Sequence, residues 1–535
     1  MKKNERIQSS YIARLMAALV CTASLSGAAS ADATQYAVTN IHDSGPGSLR
    51  EAMVNVMSGD TILFAPTLMG VISLQSPLPW INGNLTIQGP LVGNIIIDGM
   101  NQNQIFFANQ GTISISHFTL RNGLSKGGDG GLSPAGNGGG AMGAGGGLFV
   151  NTGAHVTLDK VSIMNCAAQG GDGGGFSSIY SAGTGGGGGG GFNGGRGGDG
   201  GANFGVGGAG GGGGGFQSDA GDAMDGGGGG AGVTATINHQ FIVGAGQSAA
   251  GTMGGNGGNG YSGPVANGAN NGLPGANADP TVGGGGGGGG GVNVASFNGG
   301  NGGSAGAIGG GGGGGGGAKG GLGGAGMDFG GGAGGGGSVS SKTSARGGFG
   351  GFAGGGGGGA GGIIHHVGGH GAKGGFGGGG GGGGPENQGG SGGADLGGAG
   401  GSNNGGGGGG AGIGGAVFVR SGGSLKMIKG TLSNNTVVGG MGGQNNSPGK
   451  NGKAKGKDIY IMKSATVFLE GVDSHSKMGL DLQGEGTVVH DASDVTVGAA
   501  SFSLESDQTA DAEESAQDAL VFMTKETWES SQQGT

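Results

Sequence analysis

The chain has 535 residues, of which 164 are glycine and only 11 are proline, and its net charge is −9. This composition excludes a collagen triple helix, which needs a strict Gly-X-Y period and abundant proline. It also excludes a single ordinary packed core, because ordering so much glycine costs too much backbone entropy. An acidic chain without a basic, aromatic-rich stripe is also not expected to bind nucleic acid. The glycine is unevenly spread, since residues 127–415 hold 137 of the 164.

Residues 1–31 have the features of a secretory signal peptide. Lys2, Lys3 and Arg6 form a basic start, a short apolar stretch follows, and Ala29 to Ala31 fits the small-x-small cleavage rule. The apolar stretch is shorter than a bilayer requires. We therefore expect an exported chain without a transmembrane segment after cleavage, located outside the cell or on a bacterial cell surface. Cys166 would then be its one cysteine, so no intrachain disulfide is expected.

The next part, residues 32–168, is predicted to contain an N-terminal cap and the first coils of a solenoid. Short apolar runs separated by Gly, Pro and Asn predict strands at 36–38, 61–64, 71–74, 85–88 and 94–98. Ser48 and Glu51 form a capping box, which predicts a short helix through Met57. A helix at the start of a solenoid would cover the dry end of its first coil.

A repeated unit is the most informative feature of the sequence. Residues 145–171 align without a gap to residues 414–440, at an offset of 269, and residues 105–122 form a third copy at an offset of 43. A fourth, partial copy begins at Ile459. Each copy has three short alternating strands, and such units bury their apolar side only when stacked. The repeat predicts an all-β fold, a right-handed parallel β-helix, with further coils at 413–503.

An asparagine ends the third strand of three copies, at Asn122, Asn165 and Asn434. These residues are predicted to form a structural ladder, with their amides bonded along the stack as in other asparagine ladders. Alternatively, each asparagine only supplies a left-handed turn conformation. Both interpretations predict the same fold.

Three stretches resemble a known family: TQYAVTNIHDSGPGSLREAM at 34–53, SPLPWINGNLTIQGP at 76–90 and NIIIDGMNQNQIF at 94–106. They are similar to the N-terminal part of secreted right-handed β-helix proteins grouped with polymorphic outer-membrane proteins and autotransporter-like adhesins. The resemblance covers about 34–168 and 412–475, and it implies a cell-surface adhesin. Autotransporter members end in a membrane β-barrel, whereas the acidic tail at 509–535 is too short for one, so we expect no translocator barrel at this end of the chain.

The glycine-rich insertion, residues 169–412, leaves the repeat directly after Asn165. The other copies carry loops at the same position, so all these insertions are expected on one side of the solenoid. Glycine pairs recur with a period of three residues, which is the period of polyproline II. The insertion is predicted either to bundle as polyglycine II helices, bonded laterally, or to form a flexible brush. The acidic tail, residues 504–535, is predicted to contain a helix that caps the last coil.

No catalytic, cofactor-binding or metal site is predicted. Enzymes with a β-helix fold need converging carboxylates or Ca²⁺ ligands, whereas Asp98 and Asp159 are isolated among the first strands. His365, His366 and His370 are interpreted as exposed loop residues. The sequence therefore predicts an adhesin or structural scaffold that displays glycine-rich loops to a host or cell-surface protein or glycan. The alternatives are a β-helix polysaccharide lyase or glycoside hydrolase, and a regular polyglycine surface that binds an ordered partner.

Overall fold

The structure is a computed structural model, and it describes residues 33–175, 185–191, 193–201, 209–215, 219–223, 228, 230, 274–275, 277, 286, 289, 298–315, 318–338, 345–361, 367–474, 480–490 and 520–524. The predicted signal peptide and most of the acidic tail lie outside the described residues. The described part is nearly all β, and its largest sheet is made of parallel strands and curls into a half-barrel. Within this part no helix is long and apolar enough to cross a bilayer.

In chain order the strands are β1 (Gln35–Val38), β2 (Thr61–Phe64), β3 (Gly70–Ser73), β4 (Ile81–Asn82), β5 (Leu85–Gln88), β6 (Ile95–Asp98), β7 (Phe106–Arg121), β8 (Leu124–Lys126), β9 (Gly143–Ala144), β10 (Leu148–Val150), β11 (Ala154–Met164) and β12 (Ala167–Gln169). The second half contains β13 (Gly412–Ile413), β14 (Val417–Val419), β15 (Ser424–Ile428), β16 (Thr431–Ser433), β17 (Thr436–Val438), β18 (Ala454–Lys455), β19 (Ile459–Ile461), β20 (Thr466–Glu470), β21 (Asp473–Ser474), β22 (Leu482–Gly484), β23 (Thr487–His490) and β24 (Val521–Thr524). A short 3₁₀ helix spans Gly393–Asp395.

The strands stack in five columns, and every pairing within a column is parallel. The first column is β1, β2, β5, β7, β11, β15, β20, β23 and β24. The second is β3, β6, β7, β11, β16 and β21, and the third is β4, β7, β10, β14, β19 and β22. Two short columns follow, β8–β12–β17 and β9–β13–β18. From β10 to β21 the chain visits the columns in one repeating order.

The strand register confirms the alignment of the repeats. Val156 of β11 pairs with Ile113 of β7, 43 residues earlier, and with Leu425 of β15, 269 residues later. All three side chains are buried, and they continue into a core of stacked Val, Ile, Leu and Phe residues. The fourth copy also has the predicted register, since Val467 pairs with Leu425. The insertion therefore leaves the register of the strands on either side of it unchanged.

Helix α1 (Leu49–Asn55) lies beside the first strands. The Ser48 hydroxyl accepts a hydrogen bond from the Glu51 amide at 3.2 Å, and the Glu51 carboxylate accepts one from the Gly47 amide at 2.6 Å. The helix ends at Asn55, two residues before the predicted end, and it buries Leu49 and Met53 against the core. The capping box thus fixes the start of a helix that covers the apolar end of the stack.

The acidic tail differs from the prediction where it is described. Residues 521–524 form strand β24, which pairs in parallel with β23, instead of continuing a capping helix. The run from Val521 to Thr524 is rich in residues with high β-propensity, and β23 would otherwise present unpaired backbone groups in this column. The predicted helix is therefore wrong at these four residues.

The glycine-rich segments form a bundle in which backbone hydrogen bonds recur every three residues. We call the glycine bundle the described residues within 127–142, 170–175, 185–411 and 439–452. In segment 185–190, each successive amide donates to a different neighbouring segment and each carbonyl accepts from another, at distances between 2.7 and 3.1 Å. The six neighbours are 332–335, 136–139 and 195–198 as acceptors, and 211–214, 128–131 and 355–358 as donors. A three-residue turn with lateral bonds to six neighbours is the pattern expected of bundled polyglycine II chains.

Many glycines inside the bundle have no room for a side chain. A Cβ atom on Gly188 would overlap the Gly355 carbonyl oxygen, and one on Gly187 would overlap the Gly212 carbonyl oxygen. The bundle thus depends on glycine for close approach of backbones, in the same way that only glycine fits at the collagen axis.

The bundle is continuous with the strand columns. Gly127, directly after β8, donates to the Gln169 carbonyl of β12, and Gly130 donates to the Asp172 carbonyl. The parallel register of the short β8–β12–β17 column therefore extends into the first glycine segments.

Candidate functional site

The three asparagines predicted to form a ladder all adopt the left-handed conformation, with φ of 52° at Asn122, 52° at Asn165 and 54° at Asn434. Among the hydrogen bonds of the described residues, no bond joins their amides to one another. The Asn122 amide instead donates to both carboxylate oxygens of Asp98 at 3.1 and 3.2 Å. The expected ladder is therefore not formed, because the sharp turn at these positions uses asparagine for its tolerance of positive φ.

An asparagine ladder lies at a different turn, between the third and first columns. The Asn109 amide donates to the Asn82 side-chain oxygen at 2.8 Å, and the Asn151 amide donates to the Asn109 side-chain oxygen at 2.7 Å. The Arg420 guanidinium continues the row by donating to the Asn151 side-chain oxygen at 3.0 Å. The row thus leads from the first strands to a cation at the edge of the glycine bundle.

Aromatic side chains stack along the third column, on the side of the sheet that faces the bundle. The ring centroids are 4.5 to 5.8 Å apart along the aromatic ladder, which consists of Trp80, Phe107, Phe149, Phe418 and Tyr460. Phe149 and Phe418 are fully buried. Stacked rings stabilise the fold by more than the removal of their apolar area from water.

A second row of aromatic side chains, from the bundle, packs against the aromatic ladder. Phe329 meets Phe107 and Phe149 edge-on at 5.9 and 6.1 Å, and Phe376 lies 6.4 Å from Tyr460. Phe352 lies between them, 5.5 Å from Phe376. Phe349, three residues before Phe352, does not join this row and is 46% exposed.

Arg420 completes this junction between strands and bundle. Its guanidinium lies 3.8 Å from the Phe352 ring centroid and 5.7 Å from that of Phe329. It also forms an ion pair with Asp328 at 3.0 Å, while the Arg420 side chain is 17% exposed. The guanidinium of Arg420, which directly follows β14, therefore contacts the asparagine ladder together with two aromatic rings and one carboxylate of the glycine bundle.

Five parallel bundle segments form a layer with an exposed outer face. Their backbones are bonded in register, as shown by the bonds from Gly302 to Leu322, from Gly323 to Arg346, from Gly347 to His370 and from Gly371 to Gln388, at 2.9 to 3.2 Å. Side chains three residues apart share one side of a three-residue helix. We call the basic face the exposed side chains of Lys319, Leu322, Arg346, Phe349, His370 and Lys373.

Elsewhere in the bundle, aspartates accept backbone hydrogen bonds from neighbouring segments. The Asp129 carboxylate accepts from the Asp172 amide at 2.9 Å, and the Asp172 carboxylate accepts from the Met441 amide at 2.8 Å. Asp199 likewise accepts from the Leu132 amide, and burial raises its pKa. These bonds satisfy amides at the bundle edge, so the Gly-Gly-Asp triplets have a structural use that the sequence analysis did not identify.

Asp98, one of the two acids near the first strands, is held in structural contacts. Burial raises the pKa of Asp98, but hydrogen bonds from Met100, Arg121 and Asn122, with the Arg121 charge, outweigh burial and lower the pKa below its ordinary value. The Arg121–Asp98 distance is 2.7 Å. Asp159, the other acid considered, lies in β11 beside Ile428 and Ser116 of neighbouring strands.

A buried carboxylate, that of Asp458, lies near the other end of the stack and was not among the residues singled out from the sequence. Burial raises the pKa of Asp458, while hydrogen bonds from the Asn435 side chain and the Asp481 amide oppose that effect. Asn435 also accepts from the Cys166 amide at 3.0 Å, so the residue after Asn434 makes the bonds between repeats that were expected of Asn434 itself.

The remaining polar candidates give no metal centre in the part of the chain that is described. There, no group of three or more His, Cys, Asp or Glu side chains is placed to hold a metal ion. His370 is exposed on the basic face, and His365 and His366 lie outside the described residues. Burial raises the pKa of the Cys166 thiol to about 12.

Comparison with known proteins gives no assignment. No protein-family model, no curated protein and no solved structure matches this chain. The functional conclusion therefore depends on the residues and contacts described above.

Proposed function

We propose that this chain is an exported right-handed parallel β-helix protein that acts at the cell surface or outside the cell as an adhesin or interaction scaffold. The glycine bundle is its binding element. One observation carries this proposal: the bundle holds rows of exposed side chains on a backbone bonded laterally to its neighbours. A surface held rigid before binding loses little conformational entropy on binding, which favours affinity.

The order of the columns supports the proposed β-helix. From β10 to β20 the chain passes through the third, first, second, fourth and fifth columns in turn and then begins the same order again. Parallel strands joined through such crossovers are right-handed in nearly all known sheets, so we propose the same hand for these coils. Solenoids tolerate long insertions at one register, and these insertions emerge on one side, often the binding side.

Export is proposed from the first 31 residues, and adhesion from the resemblance to polymorphic outer-membrane and autotransporter-like proteins.

The glycine-rich insertion does not act as a spacer, because both of its ends return to neighbouring strands. β12 and β13, which flank the insertion, lie in columns that pack against each other. A spacer would separate its two ends, whereas this insertion projects a compact element from one place on the solenoid.

Fractionation of cells that express the full chain with a C-terminal tag tests the proposal. The expected result is mature protein, cleaved after Ala31, in the medium or on the cell surface. A matched variant, Leu19→Arg, interrupts the apolar stretch and should keep the uncleaved chain inside the cell. Cytoplasmic accumulation of the wild-type chain with its N-terminus intact would contradict the export proposal.

Purified mature protein should then be assayed for binding to cells and for activity on polysaccharides. Saturable binding without any change in polymer length is the expected result. Depolymerisation of a polysaccharide would instead support the alternative of a β-helix lyase or hydrolase, and it would overturn the adhesin proposal.

A further inference from the structure

The basic face carries cations that no carboxylate neutralises within the described residues. Six ion pairs are formed in the described part of the chain, and none of them includes Lys319, Arg346 or Lys373. All three side chains are exposed. The chain as a whole has a net charge of −9, so this face differs in sign from the rest of the molecule. A local excess of positive charge attracts anionic partners.

The cations are arranged around an exposed aromatic ring. The Arg346 guanidinium lies 4.9 Å from the centroid of the Phe349 ring, which belongs to the same segment. Gly350, next to Phe349, donates to the Lys373 carbonyl at 3.1 Å, which brings Lys373 beside the ring from the adjacent segment. Leu322 lies beside Arg346 on the other adjacent segment, because the amide of the next residue, Gly323, donates to the Arg346 carbonyl. The Leu322 side chain is 46% exposed. The face therefore combines two exposed apolar side chains, Leu322 and Phe349, with the positive charges of Arg346 and Lys373.

The spacing of these groups is set by the bundle. Side chains three residues apart along a polyproline II-type chain are separated by about 9 Å. Lateral hydrogen bonds fix the neighbouring segments in register, so the pattern does not shift from molecule to molecule. A ligand that binds here must present acidic groups at wide intervals and an apolar surface between them.

We propose that the basic face binds an extended acidic polysaccharide, a deduction that rests on the proposed function of the bundle as a displayed binding element. The Phe349 ring packs against the apolar side of a sugar ring, and Arg346 and Lys373 pair with carboxylate or sulfate groups on either side. Arginine suits this task because its planar fork can bind both oxygens of one carboxylate.

The charge density of the face favours this occupant over nucleic acid. Duplex DNA carries one negative charge per about 1.7 Å of its axis. On the basic face each segment carries a single lysine or arginine, and Arg346 and Lys373, which lie on adjacent segments, are offset by one three-residue step, about 9 Å along the segment axis. A dense polyanion would place most of its charges opposite neutral groups, whereas a chain with one acid group per sugar or disaccharide would not.

Binding of the full mature protein to sodium polygalacturonate tests the proposal, with the fully methyl-esterified polymer as the neutral probe. The acidic polymer should bind at least about tenfold more tightly than the ester, and its affinity should fall with added NaCl because salt screens exposed charges. Dextran sulfate against dextran provides the same comparison for sulfate groups. Equal affinity for the acidic and neutral members of both pairs would overturn the proposal.

Substitutions locate the site. Arg346→Gln with Lys373→Gln should weaken binding of the acidic polymer by about tenfold or more, and Phe349→Ala should weaken it by about fivefold. The control is Lys160→Gln with Lys429→Gln, which removes the same charge from exposed turns of the strand columns and should leave affinity unchanged. Equal losses in the two double variants would contradict a site on the basic face.

Two further outcomes separate this proposal from the one on which it rests. If the protein is exported and binds cells, but neither acidic polymer binds, the polysaccharide proposal fails and the scaffold proposal stands. If a single-stranded oligonucleotide binds more tightly than both acidic polymers, the occupant is wrong. Thermal unfolding of each variant should match that of the wild type, since all the substituted side chains are exposed.

Discussion

Arg420 connects the strand columns to the glycine bundle, and its removal tests whether the two parts stabilise each other. Arg420→Ala deletes the hydrogen bond to Asn151, the contacts with the Phe352 and Phe329 rings, and the ion pair with Asp328. We expect the free energy of unfolding to fall, because all these partners belong to the junction.

The size of the effect follows from the separate contacts. A partly desolvated cation–π contact contributes about 1–2 kcal/mol. The Asp328 carboxylate is 43% exposed, so its ion pair contributes at most about 1 kcal/mol. The hydrogen bond to Asn151 contributes about 1 kcal/mol. Since contacts that share one group are not additive, the expected total loss is about 2–4 kcal/mol.

Urea unfolding, followed by the fluorescence of the stacked Trp80 and by circular dichroism, measures this loss. Arg420→Lys keeps the charge but not the planar fork, so it should recover less than half of the loss. The control is Lys426→Ala, which breaks an exposed ion pair with Glu470 at 3.6 Å and should cost less than about 1 kcal/mol. The reasoning is refuted if Arg420→Ala costs no more than Lys426→Ala, or if lysine fully replaces arginine.

Three other predictions concern the bundle, a buried acid and the cysteine. Gly188→Ala places a methyl group against the Gly355 carbonyl oxygen and should lower the free energy of unfolding, measured in urea, by about 2 kcal/mol or more. The control, Ser391→Thr, adds a methyl group at an exposed position and should cost less than about 0.5 kcal/mol. Equal costs would argue against close packing. Folding lowers the pKa of Asp98, so its carboxylate stabilises the fold at neutral pH and loses that contribution as the pH falls. Asp98→Asn should lower the free energy of unfolding by about 1–3 kcal/mol at pH 7 and by less at pH 3. The same loss at both pH values would contradict this role of the carboxylate. Cys166 should resist iodoacetamide at pH 8 until urea unfolds the protein, and rapid alkylation of the native protein would contradict its burial.

The strand columns could be predicted from the sequence because their information is local and repeated. Alternation of apolar residues located the strands, and the match of Val156 with Ile113 and Leu425 gave the register directly. The aromatic ladder was missed, although Phe149 and Phe418 occupy the same position in the aligned repeats. That coincidence was the available signal.

The errors have physical causes. Asparagine both forms ladders and tolerates left-handed turns, and sequence alone did not decide which use applies at Asn122 and which at Asn109. Contacts within the bundle could not be assigned, because identical Gly-Gly triplets carry no information on which segments are neighbours. The contact of Arg420 with Asp328 spans 92 residues and two kinds of structure, so no pattern in either segment predicts it.

The central claim is that the glycine-rich segments form an ordered bundle with saturated backbone hydrogen bonds. Hydrogen–deuterium exchange of the purified full-length protein tests it most directly, in peptides that contain residues 185–191. We predict that these amides exchange slowly and lose protection together with the strand columns when urea is added. Exchange at the rate of an unstructured peptide under native conditions would contradict the account.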